Sequence, residues 1–317
     1  MKAHAPTTYW RLIRARHGVA MSIDRRRVSA NRPDESPGDT YRIDLDLNAG
    51  FFASMSAYLA ILHYCEVRRL VPDVRLVNPV YGQRTAQHDW FPQYFERLSP
   101  QSDGASGHRR LVVRDLKVLR LSTRLNEVPL AVAAAIFDRH ASVAPATLAQ
   151  MDLMFAQDPL NAGHILGVHY RGTDKVMEAS RAPYDDVIVA VKRELSGSGP
   201  YSCVLVATDE PDFALELGTA ISDIPVVPMD ATQIGDRDTP PHMMANADRY
   251  VLGIEALETC LALARCSALV RTSSYLSGWS KVFNPSLKTI TLNSPNRSDG
   301  FPEALILEEE CLRGHPA

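Results

Sequence analysis

The stretch His164-Ile-Leu-Gly-Val-His-Tyr-Arg171, with Gly172-Thr-Asp-Lys175 behind it, decides the fold. Its apolar part does not alternate with polar residues. A strand there is covered on both faces, as in a parallel sheet flanked by helices. Reading toward the C-terminus, a helix fits 183–195 and stops at Gly197-Ser-Gly199. A strand at 201–207, a helix at 211–221 and a strand at 224–229 follow. Then come a helix over 248–265, a strand over 268–272, a short helix over 275–283 and a last strand over 289–292. Such alternation of strand and helix marks a parallel sheet with helices on both sides.

The first half is a less regular version of the same pattern. Residues 41–47 alternate polar and apolar side chains, a strand of period two. Asn48-Ala-Gly50 turns, and 51–70 has helical spacing (Met55, Leu59, Leu62, Leu70) until Pro72 breaks it. Residues 74–77 read as a strand, the aromatic run 90–98 as a helix, 111–121 as a strand, and 127–140 and 145–157 as helices. At roughly 150 residues per domain, 317 residues make about two domains. The expected architecture is α/β: two Rossmann-like domains with parallel sheets, 41–158 and 159–317, facing a central cleft. Residues 1–40 read as a basic, partly ordered leader, or one lying before a true start at Met21, rather than as an arm for membranes or acidic partners. That segment carries eight basic and four acidic side chains, net +4, and leaves −7 for the rest.

Composition narrows the function. The formal charge of −3 lacks the basic excess of a nucleic-acid binder. No apolar run approaches the roughly 18 residues of a membrane span, and no secretory leader is evident, so a cytoplasmic protein is expected. The five cysteines form no C-x-x-C pair or zinc pattern and read as small buried apolar residues. Asp44 and Asp46 share one face of a strand, which is alternation rather than a metal motif. P-loop, dinucleotide-binding, nucleophile-elbow and zinc-protease signatures are absent from the sequence.

In open parallel sheets, ligands sit beyond the carboxyl ends of the strands. Three loops there carry chemistry. His169-Tyr-Arg-Gly-Thr-Asp-Lys175 gathers a cationic cluster in which Arg171 suits a phosphate, Gly172 permits close backbone approach and Asp174 is placed to orient a cation. A surface ion-pair network would use the same residues. Ala207-Thr-Asp-Glu210 offers Asp209 to a ligand; alternatively Thr208 or Asp209 caps the helix that begins at Pro211. Thr272-Ser-Ser274 places three hydroxyls at a helix N-terminus, which suits an anion or a simple cap. A cation cluster, a carboxylate and a hydroxyl cluster at successive strand ends together suit a nucleoside diphosphate carrying a sugar.

These segments resemble the α-1,6-fucosyltransferases, the rhizobial nodulation fucosyltransferases among them. His169-Tyr-Arg-Gly-Thr-Asp-Lys175 matches H-x-R-[R/G]-T-D-K. Gly50-Phe-Phe52 resembles the glycine loop of the first domain, and Trp90-Phe-Pro-Gln-Tyr-Phe-Glu96, with one residue more before the Tyr, the W-x-x-Y-F-E box. Ala207-Thr-Asp-Glu210 and Arg271-Thr-Ser-Ser-Tyr-Leu-Ser277 follow in the family's order. The resemblance spans about residues 45–293. It implies a GT-B fold, a GDP-fucose donor, no cofactor, no metal, and inversion at the anomeric carbon. Arg171 would hold the β-phosphate. Gly50, His169, Asp209, Thr272, Ser273 and Ser274 would line the donor site. Glu178 would act as base with Lys175 beside it. Gly172 stands where the eukaryotic motif has a second arginine. Thr259 stands where the family has an aspartate, with Glu255 and Glu258 beside it; Glu258 is the expected substitute at the base. An oligosaccharide or glycan acceptor would enter on the first domain, around residues 81–96. A transferase of the same fold using another nucleotide sugar, and a non-catalytic nucleotide- or glycan-binding protein, are the other readings.

Overall fold

The computed structural model describes residues 36–78, 80–82, 89–98, 109–111, 124–172, 180–197, 199–229, 248–293 and 300–312. The first half is built on β1 (Thr40–Leu45), whose alternating burial follows its alternating sequence. Helix α1 (Phe51–Arg68) carries the chain over to β2 (Val71–Leu76), which pairs with β1 in parallel. α1 closes at Arg69 in the left-handed region, φ 58°, where the Arg69 N–H reaches the Cys65 and Glu66 carbonyls.

The expected helix over 90–98 is instead a single 3-10 turn, Phe91–Gln93, followed by the short strand β3 (Phe95–Arg97). Pro92 can open a helix but cannot extend one backwards. Trp90, Phe91, Tyr94 and Phe95 are all buried, with at most 1% of their surface exposed, and β3 pairs with Ala141–Val143 instead of continuing the turn. Beyond β3, β4 (Arg109–Leu111) adds to the other side of β1; the rest of the strand expected over 111–121 lies outside the described residues. Helix α2 (Leu130–His140) starts after Pro129, later than residue 127. It runs straight into β5 (Ala141–Val143), antiparallel to β3, and then into α3 (Pro145–Phe155).

The second half follows the expected order closely. β6 (Ile165–Tyr170) has all six residues buried, which is why its sequence shows no alternation. Then come α4 (Tyr184–Gly197), β7 (Cys203–Thr208), α5 (Pro211–Ala220), β8 (Val226–Pro228), α6 (Arg249–Ala264), β9 (Ala268–Arg271), α7 (Tyr275–Phe283) and β10 (Lys288–Thr291). The strands form one parallel sheet in the order β10-β9-β6-β7-β8. The chain moves from β6 outward to β8, then crosses back to lay β9 on the other side of β6. That reversal opens a crevice between the carboxyl ends of β6 and β9, where ligands of such sheets bind.

A last helix, α8 (Glu303–Leu312), was not evident in the sequence. It packs under β10 and returns two buried carboxylates, Glu303 and Glu310, to the sheet. Cys65, Cys203, Cys260 and Cys266 are buried as expected, but Cys311 is exposed, because it lies on the outer side of this helix. One hydrophobic cluster joins both halves. At its centre Trp279 of α7 packs among Phe52, Phe137 and Phe283, and its ring N–H donates to Ser56 Oγ at 2.8 Å. Such T-shaped and tilted aromatic pairs contribute about 0.5–1.5 kcal/mol each beyond the area they bury.

Candidate functional site

The crevice brings three strand ends together. At the end of β6, the Arg171 N–H donates to Thr272 Oγ1 at 2.9 Å. The next amide, Gly172 N–H, donates to Asp209 Oδ1 at 3.2 Å. The other carboxylate oxygen of Asp209 lies 3.8 Å from Arg171 Nε. The Thr272 N–H donates to the carbonyl of His169 at 2.9 Å, extending the β6–β9 ladder by one rung. His169, Arg171, Asp209 and Thr272 are therefore neighbours, as the sequence reading expects. Of the two readings of Asp209, the structure removes the alternative one: it does not cap α5, whose N-cap position is Glu210. It fixes the backbone and side chain of the 171–172 turn. Arg171 keeps about a quarter of its side chain in solvent, so it is anchored and still accessible.

The hydroxyl loop is more internal than expected. Thr272, Ser273 and Ser274 are all buried. Ser274 Oγ caps α7 by accepting the Leu276 N–H at 3.3 Å. The Ser273 N–H goes to Asn293 Oδ1 at 2.6 Å, and Asn293 in turn donates to the Ser180 carbonyl. The Ser274 N–H goes to Glu303 Oε1 at 3.2 Å. Two backbone donors that the sequence offered to a phosphate are thus used within the protein.

Sequence reasoning missed the group that holds this loop. Arg271 is fully buried, and its guanidinium is surrounded. Nε donates to Ser277 Oγ at 3.0 Å, and Nη1 to Thr291 Oγ1 and to Glu303 Oε2, both at 3.1 Å. Nη2 donates to the Ser274 carbonyl and closely to Glu303 Oε1. The only available signal was an arginine inside a strand that is otherwise apolar.

Gly172 is explained by its neighbour. Glu210 turns its carboxylate into the space a side chain at 172 would take: an added Cβ would lie 2.8 Å from Glu210 Cδ and 2.9 Å from Tyr170 Cε1. Glu210 cannot yield easily, because Arg181 Nη2 holds Oε2 at 2.7 Å and the Tyr184 hydroxyl binds the same oxygen closely. Burial, and then the Glu210 carboxylate, keep the Tyr184 phenol well above its ordinary pKa. Gly172→Ala is expected to cost about 1–3 kcal/mol, as overpacking does. Urea denaturation checks this. The cost should shrink in the Gly172→Ala/Glu210→Ala double variant, because the two sites share one space.

Gly50 is the N-cap residue of α1, with no side-chain cap of its own. The α1 N-terminus is served from elsewhere: the Phe51 N–H donates to the Tyr81 hydroxyl at 3.0 Å. Glu258 stands apart from the strand ends. It lies nine residues into α6, about 13 Å along the axis from Arg249. Partial burial and the nearby Glu255 push its pKa up. Lys175 and Glu178 lie outside the described residues. Among the described residues no cluster of His, Cys, Asp and Glu could hold a metal ion, and no helix is long and apolar enough to cross a membrane. The aromatic box expected near an acceptor is core: Trp90, Phe91, Tyr94 and Phe95 pack on one another and on Phe51.

No protein-family model and no curated protein matches the sequence. Solved structures do match the fold. NodZ α-1,6-fucosyltransferase soaked with GDP-fucose superposes with a TM-score of 0.52 at 15% identity, over 83% of this chain and 97% of that one. Fucosyltransferase NodZ from Bradyrhizobium gives 0.51 at 16% identity, over 76% and 92%. A mutant of Arabidopsis thaliana FUT1 in complex with GDP gives 0.50 at 9% identity, over 84% and 73%. The likeness establishes the fold, GT-B-like α/β with parallel sheets, which the motif resemblance implied.

Proposed function

We propose that this chain is a glycosyltransferase that moves fucose from GDP-fucose to a hydroxyl of an oligosaccharide or glycan, with inversion and without a metal. The observation that carries the reading is Arg171 at the β6–β9 switch point: its backbone N–H is held by Thr272 Oγ1, and its accessible guanidinium lies beside Asp209. It sits within the motif His169-Tyr-Arg-Gly-Thr-Asp-Lys175. In the proposed reaction the acceptor oxygen attacks the anomeric carbon and its proton passes to the Glu178 carboxylate. The bond from that carbon to the β-phosphate breaks, and GDP leaves with the electron pair. Arg171 stabilises the charge growing on the β-phosphate, with Lys175 beside the base, and so does the work a metal performs in other transferases. His169 and the Thr272–Ser274 loop support the nucleotide from the sheet side, and Gly50 faces it from the first half.

A second donor is favoured by one observation. Thr259 replaces the family's aspartate, and Glu258 lies well away from the strand ends. That points to a transferase of the same fold with another base preference. A non-catalytic binder would need no base at Glu178.

A panel of GDP, UDP, ADP, CMP and GDP-fucose, read by thermal shift in EDTA with turnover measured alongside, tests the proposal. A ligand of the folded state raises the melting temperature. Stabilisation by GDP and GDP-fucose alone supports this donor, and stabilisation by another nucleotide replaces it. Glu258 adds a pH test. Its carboxylate form is the one that can accept guanine N–H groups, and its pKa is raised. If Glu258 reads the base, GDP affinity falls as pH drops through that raised value, and Glu258→Gln binds weakly at every pH. A flat profile removes Glu258 from the donor site.

A further inference from the structure

The residues that flank 173–179, the stretch of sequence holding Lys175 and Glu178, are tied to one loop. On the near flank, the Arg171 N–H donates to Thr272 Oγ1 at 2.9 Å. On the far flank, Asn293 makes the connection. Its side-chain N–H donates to the Ser180 carbonyl at 2.6 Å, and its Oδ1 accepts the Ser273 N–H at 2.6 Å. Glu178 lies two residues before Ser180 in the sequence.

The amide of Asn293 suits this bridge. It offers one acceptor oxygen and one donor nitrogen, and its partners are a donor N–H and an acceptor carbonyl. Turning the amide over would set oxygen against oxygen and N–H against N–H, so the partners fix its orientation. An aspartate would serve Ser273 but would press a charged oxygen on the Ser180 carbonyl. The bridge also starts from a firm base. The preceding residue, Leu292, donates its N–H to the Arg271 carbonyl at 3.0 Å, which continues the β9–β10 ladder. Ser273 is buried, and the neighbouring Ser274 N–H is held by Glu303. Past Ser180, the ties come from the other side of the sheet: Arg181 Nη2 to Glu210 Oε2 at 2.7 Å, and the Tyr170 hydroxyl to the Ala182 carbonyl at 3.0 Å. Asn293 supplies a tie from the β10 side, directly to the donor loop.

We propose that Asn293 is a positioning residue of the transfer reaction: it ties Ser180 to the Thr272–Ser274 loop, so that the loop supporting the nucleotide also sets where the base Glu178 stands. The inference rests on the donor reading above and deepens it. Asn293 acts through Glu178, and its removal leaves the phosphate grip of Arg171 in place.

GDP release from GDP-fucose with water as acceptor, and calorimetric binding of GDP, test this on wild type, Asn293→Asp, Glu178→Gln and the double variant. The melting temperature of each is the folding control. In this assay the water oxygen bonds to the anomeric carbon, its proton passes to Glu178, and GDP leaves with the electron pair. Asn293→Asp keeps the acceptor for Ser273 and loses the donor to Ser180. It should lower kcat roughly 10- to 100-fold, the scale of misplacing a reacting group by about 1 Å, and leave KM and the Kd for GDP within about threefold. In the Glu178→Gln background the same change should cost under about threefold, because a base already removed cannot be misplaced. Asn293→Ala, which adds no charge beside the phosphate, should repeat the pattern and replaces the aspartate variant if that one does not fold. A kcat near wild type, a loss that falls on KM and Kd instead, or equal losses with and without Glu178 overturns the role of Asn293 and leaves the donor reading standing. A wild type that binds no GDP, or binds GDP-fucose and releases no GDP, overturns the transferase reading and this inference with it.

Discussion

Glu303→Ala is expected to lose about 3–5 kcal/mol of folding stability, the cost of leaving a buried charge without its partner. Arg271 has no exposed surface, and the Glu303 side chain has only 7%. Without the carboxylate, the guanidinium keeps Ser277 Oγ, Thr291 Oγ1 and the Ser274 carbonyl, all neutral acceptors. None of them balances a full charge in a low-dielectric interior. The Ser274 N–H loses its acceptor at the same moment. Urea denaturation measures the loss; a value below 1 kcal/mol would mean that water reaches Arg271. Glu303→Leu combined with Arg271→Met should recover much of it, since it removes both charges together. The loss should not stay in the core, because the pair holds the Thr272–Ser274 loop from beneath. In any variant that still folds, the loop loosens and donor KM rises.

What the sequence disclosed follows from how local each signal is. β6 was readable because a strand covered on both faces shows as an unbroken apolar run, and all six residues are indeed buried. The helices of the second half were readable because caps and stops lie next to them, as with Asp248 before α6 and Ser274 before α7. The run from Trp90 to Leu98 misled because aromatic density says that a segment is buried, not which dihedrals it adopts. Pro92 and pairing with Ala141–Val143, some 46 residues away, decided that. The site shows the same division. Arg171 and Thr272 were legible because each sits at a strand end, in a short motif. The groups that hold the neighbouring segments were not: Glu303, which holds the 272–274 loop through Arg271, comes from a helix 32 residues beyond that arginine, and Tyr81 reaches α1 from 30 residues away. Asp209 was legible as a residue but not as a role, since capping a helix and clamping a turn call for the same side chain at the same place.

Arg171→Ala is expected to lower turnover by roughly 10²–10³-fold, about 2.7–4 kcal/mol, the scale of removing one preorganised donor from a developing oxyanion. The effect should fall on kcat as well as on donor affinity, because charge on the β-phosphate grows as the glycosidic bond breaks. Arg171→Lys should rescue poorly. A lysine supplies one point charge, whereas the guanidinium can face Asp209 with Nε and a phosphate with its outer nitrogens. Thr272→Val probes the same arginine indirectly, since it removes the Oγ1 that accepts the Arg171 N–H and leaves the charge in place. Its expected loss is smaller, about tenfold, and should grow when the carboxylate at Asp209 is also removed, because the two hold one turn from two sides. Steady-state kinetics on the four variants distinguishes the roles. If Arg171→Ala raises only KM, the arginine binds the donor without stabilising the departing phosphate, and another group of the site must meet the charge that grows there.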